Sequence, residues 1–462
     1  MSLRRLTLAI AMSGAIAPAI YWFAFREPIP DARLACHYGA YDLDDGRILA
    51  IAPSSGSQSL RFVFMDGDTG RLLPEKDSTE PVPRRFSAGP GWMGETPIRA
   101  RVTFGACDAN TLSIALDSKP AVAGKKRTFD VKDVQFESHG LKLAGRLVMP
   151  KADGKIPVAV LIHGSERDSG KLFNRLQYLL PANRIGVFVF DKRGTGQSEG
   201  RYTQDFQLLS DDAAAAMNKA RELAGTQASE VGFQGGSQAG WIIPLAAGKA
   251  NADFAVVGYG LAESPLGEDR EEVFDGLRTA GFGEDEIAKA REITDATGRV
   301  MASRFTGGFD ELDKVRAKYR DEPWYPTIKG EFSGMFLRAP NWAIRIFGPW
   351  FDVGTSWTHD PVPALNAYQA PQLWILAGRD ASAPSHNTLR ILRDLQSTHP
   401  KLDVVLFPTA DHGITEFELK DGERIDTRFS DGYFPLLVDW IRRKDPRVTV
   451  TGPIVYRGHA RE

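Results

Sequence analysis

The residues best placed to do chemistry begin with a serine at the end of a glycine-rich turn. Val231-Gly232-Phe233-Gln234-Gly235-Gly236-Ser237-Gln238-Ala239-Gly240 passes from a short β-prone run through glycines into a helix-prone run. A serine on so sharp a strand-to-helix turn is pushed above the sheet edge, and its flanks must be small so that strand and helix can approach. The usual Gly-x-Ser-x-Gly pattern ends here in Ala239, with Gly240 one place later, and alanine is small enough for the crossing. A serine hydroxyl is a poor nucleophile at neutral pH. It needs a base to take its proton and a carboxylate to orient that base.

Downstream of Ser237 lie His359, His386, His399 and His412. His412 directly follows the last predicted strand, in Phe407-Pro408-Thr409-Ala410-Asp411-His412-Gly413, where a loop can drop it over the sheet's C-terminal edge. His386 and His399 flank a predicted helix and are expected to face solvent, while His359 falls in an inserted segment and is the reserve base. The orienting acid is expected after the preceding strand, where Leu376-Ala377-Gly378-Arg379-Asp380 supplies Asp380. Asp411 is the poorer choice, because a carboxylate adjacent to the histidine in sequence points away from its ring. A tetrahedral intermediate also needs two backbone N–H donors for its oxyanion. Gln238, next after the serine, and Ser165, in Leu161-Ile162-His163-Gly164-Ser165, are the candidates, with His163 bracing the loop beside Gly164. The run Asp191-Lys192-Arg193-Gly194-Thr195-Gly196-Gln197-Ser198 is not a dinucleotide loop, since Glu199 stands where the third glycine belongs. Asp191 and Arg193 are read as steadying a turn near the site. No Cys/His cluster has metal-ligand spacing.

These residues require elements to hold them. Short apolar runs at 158–162, 186–190, 231–233, 254–258, 373–376 and 404–407 have the composition of buried parallel strands, and helix-prone stretches at 211–224, 238–249 and 386–395 alternate with them. Runs 134–137 and 141–148, around His139-Gly140, form an antiparallel opening pair. This alternation predicts an α/β, doubly wound, mostly parallel sheet with helices on both faces. Between 260 and 371 the interval is far too long for a crossover, so an inserted unit is required. Its first half is charged with helical period and its second half carries Trp324, Tyr325, Phe332, Phe336, Trp342, Phe347, Trp350, Phe351 and Trp357, which suits a helical cap. Most of those rings are expected to pack the insert's own core.

Upstream, alternating runs at 47–51, 60–64, 98–102 and 112–116, with hairpin-like Asp45-Gly46 and Asp66-Gly67, predict a small antiparallel β domain. The partition that follows is 29–120 for the β-rich domain, 121–130 for a linker, 131–260 with 361–445 for the α/β core, 261–360 for the cap and 446–462 for a C-terminal tail. Cys36 and Cys107 are the only cysteines; one disulfide and two buried thiols both suit them. Residues 1–28 read as a signal peptide or membrane anchor: Arg4 and Arg5 precede an uncharged stretch, 6–25, that starts at Leu6 and ends at Phe25 before Arg26. A helix of that length spans about 30 Å, a bilayer core. The expectation is an exported protein, periplasmic and held to the inner membrane by this segment, or secreted. With 57 Lys and Arg against 59 Asp and Glu, no overall field favours nucleic acid.

Taken together, His163-Gly164, Asp191-x-Arg193-Gly194-x-Gly196-x-Ser198, Gly235-x-Ser237, Gly378-x-Asp380 and His412-Gly413 resemble the landmarks of the α/β-hydrolase superfamily. The likeness is strongest to its bacterial dienelactone-hydrolase-like and acyl-peptidase-like serine esterases. It covers 131 to about 441 apart from the insert, and the order serine, acid, histidine is the superfamily's own. The resemblance implies transfer of an acyl group to water through an acyl-Ser237 intermediate, no cofactor, and a small-molecule or short-peptide acyl substrate. It does not name that substrate, because one fold hosts esterases, thioesterases, peptidases and lyases. A serine aminopeptidase or acyl-peptidase is the alternative enzyme, with Glu331 or Asp352 of the insert holding an amine. A non-catalytic binding protein on the same fold predicts a missing triad member, and none is missing from the sequence.

Overall fold

The computed structural model describes residues 29–75 and 82–458. The segment expected to target or anchor the chain lies outside the described residues, among which no helix is long and apolar enough to cross a membrane.

Eight antiparallel strands close into a barrel: β1 (Gly39–Leu43), β2 (Ile48–Pro53), β3 (Leu60–Phe64), β4 (Thr69–Pro74), β5 (Arg85–Ala88), β6 (Ala100–Phe104), β7 (Thr111–Leu116) and β8 (Val122–Lys126). Gly46 and Gly67 have φ of 87° and 90° at the β1–β2 and β3–β4 turns, a conformation that costs glycine little. Alternation along β3 sends Leu60, Phe62 and Phe64 into the barrel core and Val63 outward, against the neighbouring α/β unit. The polar stretch read as a linker contains β8, which closes the barrel by pairing with β1. Its pairing rests on backbone rather than on an apolar stripe: Gly124 faces Leu43, where a Cβ would come within 2.5 Å of Leu43 Cδ2. Cys36 and Cys107 are joined in a disulfide.

The second unit is a nine-stranded sheet. Its strands are β9 (Phe129–Ser138), β10 (Leu141–Pro150), β11 (Ile156–Ile162), β12 (Gly186–Phe190), β13 (Ala228–Gly236), β14 (Ala255–Gly258), β15 (Gln372–Ala377), β16 (Leu402–Phe407) and, after a hairpin of β17 (Thr415–Lys420) and β18 (Glu423–Phe429), β19 (Ile454–Tyr456). The spatial order is β19-β16-β15-β14-β13-β11-β12-β10-β9. The strands from β12 to β16 run parallel, and β9, β10 and β19 pair antiparallel at the two edges. Residues 454–456 thus add an edge strand inside the stretch read as a tail.

Both faces of the sheet are covered, which is why its strands read as unbroken apolar runs. The helices are α1 (Gly170–Phe173), α2 (Leu176–Ala182), α3 (Phe206–Ala224), α4 (Ala239–Ala250), α5 (Pro265–Thr279), α6 (Glu284–Ala302), α7 (Phe309–Tyr319), α8 (Ser333–Arg338), α9 (Asn341–Phe351), α10 (Val362–Ala367), α11 (His386–Leu395) and α12 (Tyr433–Arg443). Val158, Val160 and Ile162 of β11 pack with α3 and α4. Ala159 and Leu161 pack on the other face with α2, α12 and the barrel residues Ala50 and Val63. Helices α5 to α9 stand between β14 and β15 and share a core of their own, which includes Trp324, Phe332 and Phe336. Buried Asp269 ties that unit together by accepting the N–H groups of Phe332 and Ser333, each at 2.9 Å. Trp342 and Trp350 depart from the expected internal packing, at 62% and 70% exposed.

Candidate active site

Ser237 sits where β13 turns into α4, with φ of 56°. A non-glycine residue in that region costs of order 1–3 kcal/mol and persists only where its surroundings impose it. Here they do. Ser237 N–H donates to Gly258 O at 3.0 Å, and its carbonyl accepts from Gly240 N–H at 2.8 Å. A Cβ on Gly235 would come within 2.5 Å of Ala239 Cβ, one on Gly236 within 2.3 Å of the Tyr259 ring, and one on Gly240 within 2.9 Å of Leu261 N. Ala239 is tolerated because Gly235 opposite it lacks a side chain. The departure from the usual motif is therefore absorbed by the neighbouring glycine.

The loop after β15 turns back on itself at Gly378, where any Cβ would meet Pro408 at 2.6 Å. This delivers Asp380, which is 3% exposed. Its Oδ1 accepts the N–H groups of Ser382 and Ala383 at 3.0 and 2.7 Å, and its Oδ2 lies 2.9 Å from His412 Nδ1. Burial alone would lower the pKa of His412, but the hydrogen bond and charge of Asp380, with Asp411 and Glu166 beyond it, leave it raised. Asp411 is occupied otherwise: it accepts from Ala381 N–H, from His412 N–H and from Arg424. The structure thus brings Asp380, and not Asp411, to the ring of His412.

The strand, the elbow and the order serine, aspartate, histidine are now all in place. A mostly parallel sheet with helices on both faces is the fold that the sequence resemblance implied. No protein-family model matches the sequence, and no curated protein matches it. Among solved structures, the Pyrococcus furiosus esterase Pf2001 superposes with a TM-score of 0.40 at 15% identity, over 62% of this chain and 84% of its own. Pyrococcus horikoshii acylaminoacyl peptidase gives 0.39 at 14% identity, over 79% of this chain and 52% of its own. Est1E from Butyrivibrio proteoclasticus, with ferulic acid bound, gives 0.37 at 15%, over 67% of this chain and 96% of its own.

Two cavities meet at Ser237 and His412. One, of about 610 Å³, lies between the barrel and the core; the other, of about 760 Å³, lies beneath the inserted helices. Among the described residues no hydrogen bond joins Ser237 Oγ to His412, although both side chains line both cavities. Ser165 and Gln238 border the larger cavity together, and neither backbone N–H has a protein acceptor among the described residues. The Ser165 carbonyl accepts from Tyr202 Oη at 2.5 Å.

The supporting residues hold the loops. His163 donates from Nε2 to Phe190 O at 2.6 Å, and burial lowers its pKa, keeping it neutral. Gly164 O accepts from Lys192 Nζ at 2.7 Å, and its N–H donates to Glu166 at 3.2 Å. Asp191 accepts from Ser169 Oγ, Lys171 N–H and Gln197 N–H, closing the turn around Gly194 and Gly196. Arg193 makes a two-pronged buried pair with Asp212 at 2.6 and 2.5 Å. Of the other histidines, His386 is exposed, but His399 is 1% exposed, a correction to the expected solvent position. Its ring is bound by Tyr368 O and Gln372, tying the end of α10 to β15. His359 packs edge-on against Phe206 rather than lining either cavity.

Three neighbours of the site escaped sequence reasoning. Tyr259, a non-glycine residue at φ of 39°, sets its ring 4.9 Å from that of His412. Glu166 folds back beside Gly164; desolvation opposes its charge, yet Lys192 and His163 leave its pKa lowered. Arg61 reaches the smaller cavity from the barrel. Only Glu166, the residue directly after a predicted oxyanion loop, carried a sequence signal. Among the described residues no group of three or more His, Cys, Asp or Glu is disposed to hold a metal ion.

Proposed function

We propose that this chain is a serine hydrolase that cleaves an ester-like acyl bond. Ser237 Oγ attacks the carbonyl carbon while His412 Nε2 takes its proton, and the N–H groups of Gln238 and Ser165 stabilise the oxyanion. His412 then gives that proton to the leaving group as the acyl-Ser237 bond remains. A water, deprotonated by the same nitrogen, releases the acid and restores the serine hydroxyl. Asp380 holds the imidazole in the tautomer whose Nε2 is free to accept. The observation carrying this reading is the 2.9 Å Asp380–His412 contact at the junction of two cavities that both reach Ser237. In this reading the inserted helices act as a cap, and Phe305, Phe336 and Phe347 offer the acyl group an apolar wall.

Labelling with a fluorophosphonate probe tests it. The natural protein should label and Ser237→Ala should not; a folded natural protein that stays unlabelled refutes the proposal and favours a silent binding protein. A peptidase reading has one observation in its favour. Glu268 and Glu331 line the larger cavity, and burial together with their mutual repulsion pushes Glu268 well above the carboxylate range, so an incoming ammonium would find a partner. Aminoacyl anilides turned over faster than p-nitrophenyl esters would select it. Export is supported by the Arg4-Arg5 segment and by the Cys36–Cys107 disulfide, since such bonds persist in oxidising compartments.

A further inference from the structure

The smaller cavity has one wall made by the barrel, and that wall carries a charge. Arg61 stands on the outward-facing side of β3, where it is 5% exposed because the barrel docks on the catalytic unit. Its guanidinium lies 4.2 Å over the Trp92 ring, and its Nη2 finds only the sulfur of Met93, at 3.6 Å. Nη1 is buried without a hydrogen-bond partner. Across the cavity Arg175, at the start of α2, sets its guanidinium 4.8 Å over Phe429 and 5.9 Å from Trp92. Neither arginine has an ion-pair partner within 4 Å among the described residues. The carboxylates whose charge acts on them are Asp426, hydrogen-bonded to Thr415, for Arg61, and Glu166, which accepts from Gly164 N–H and is drawn to Lys192, for Arg175. Desolvation first, then the charges of Arg175 and Arg71, push Arg61 down to about 9.

A buried cation without an anion is costly unless something supplies one. Guanidinium groups present paired N–H donors in a fixed fork that matches carboxylate and phosphate oxygens. Both arginines line the cavity that opens on Ser237 and His412. We propose that Arg61 and Arg175 form an anion subsite that binds a carboxylate or phosphate carried by the substrate on the barrel side of Ser237. The inference rests on the hydrolase reading and narrows it to acidic esters. It also gives the barrel a part in recognition, since Arg61 comes from β3.

The test compares kcat/KM for charged and neutral esters of matched length. Mono-p-nitrophenyl glutarate against p-nitrophenyl valerate puts a carboxylate on the acyl side, and 3-carboxyphenyl butyrate against phenyl butyrate puts it on the leaving side. Butyryl glycerol phosphate against monobutyrin supplies the phosphate. At least one charged member should be favoured about 10- to 100-fold. That ratio should collapse in Arg61→Met and in Arg175→Met, each checked for folding by thermal unfolding, and be partly kept in Arg61→Lys. Neutral members favoured in every pair, or a ratio unmoved by both substitutions, overturns the proposal. Fluorophosphonate labelling of the same samples separates the two readings: a labelled protein without anion preference sinks the subsite alone. If the protein does not label, calorimetry with glutarate and with glycerol phosphate decides the subsite. Binding lost in Arg61→Met upholds it, and equal or absent binding in both proteins refutes it.

Discussion

Replacing Asp380 by asparagine changes one atom in a side chain whose two oxygens have different duties. Oδ1 accepts the backbone N–H groups of Ser382 and Ala383 and lies 3.2 Å from His412 Nδ1, while Oδ2, which those groups leave free, faces Nδ1 at the shorter 2.9 Å. Those two N–H groups dictate how an asparagine must sit: its carbonyl oxygen takes the place of Oδ1, and its NH₂ is left pointing at Nδ1. An NH₂ in the closer place can only donate, which favours Nδ1 as acceptor with the ring proton on Nε2, against a weaker 3.2 Å contact from Nδ1 to the remaining oxygen. The imidazole is then in the tautomer that cannot take a proton from Ser237. The analogous change in a characterised serine protease lowers kcat by about 10⁴, which corresponds to about 5.5 kcal/mol at 1.36 kcal/mol per decade. A second effect follows from charge. His412 now has its pKa raised by Asp380 against the pull of burial, so kcat/KM should rise with pH through a value above that of an ordinary histidine. Without the carboxylate, burial prevails and the acid limb moves to lower pH. The assay is the pH profile of p-nitrophenyl ester hydrolysis for the natural protein, Asp380→Asn and Asp411→Asn. Asp411 serves the backbone and Arg424 and acts on His412 through its charge alone, so its variant should lose less than about tenfold and move the acid limb down by less than Asp380→Asn does. A loss below tenfold in Asp380→Asn, with an unmoved limb, refutes the assignment of the acid.

Other substitutions probe the frame. Gly236→Ala should lower stability by about 1–3 kcal/mol in urea unfolding, as the added methyl meets the Tyr259 ring; an unchanged midpoint would mean that the elbow is looser than described. Arg193→Met leaves Asp212 buried and unpaired and should cost about 3–5 kcal/mol. Adding Asp212→Leu should recover much of that loss, and a double variant as unstable as the single one contradicts the pairing argument. Reducing the Cys36–Cys107 bond, which closes a loop of 71 residues, should cost about 4 kcal/mol through the unfolded state; the same thermal midpoint with and without reductant would show that the barrel is held by other means.

The parts of this molecule that could be read from sequence are those whose signal is local. The parallel strands announce themselves because both faces are covered, as in Val158 through Ile162, where neighbours in sequence feed opposite cores. Ser237, Asp380 and His412 stand at strand ends, and strand ends are visible as the close of apolar runs. Barrel closure is not visible in this way: β8 contributes Gly124 and lysines, and its place depends on the distant backbone of β1. The β17–β18 hairpin is equally hidden, because its pattern is largely exposed and polar. Arg61 is the sharpest case. Between Leu60 and Phe62 it reads as the solvent-facing member of an alternating strand, and only the docking of one unit on another turns it inward.

That docking bears on His412 as well as on the cavity wall. Three residues after the histidine the chain enters β17, and the returning strand β18 is fastened to the barrel: Phe429 N–H donates to Gly67 O, Trp92 N–H donates to Asp426 O, and the Trp92 and Phe429 rings meet at 4.9 Å. A Cβ on Gly67 would come within 2.2 Å of Phe429 O, so the turn that makes the β3–β4 hairpin is also the surface that receives the hairpin. His412 is therefore anchored from two directions, by Asp380 at its ring and by a hairpin held against another domain at its backbone. The same barrel face presents Arg61 and Trp92 to the cavity. The position of His412 and the shape of the barrel-side pocket thus depend on one interface, so under the proposed function recognition on the barrel side and the geometry around Ser237 would be mechanically linked rather than separable properties of two units.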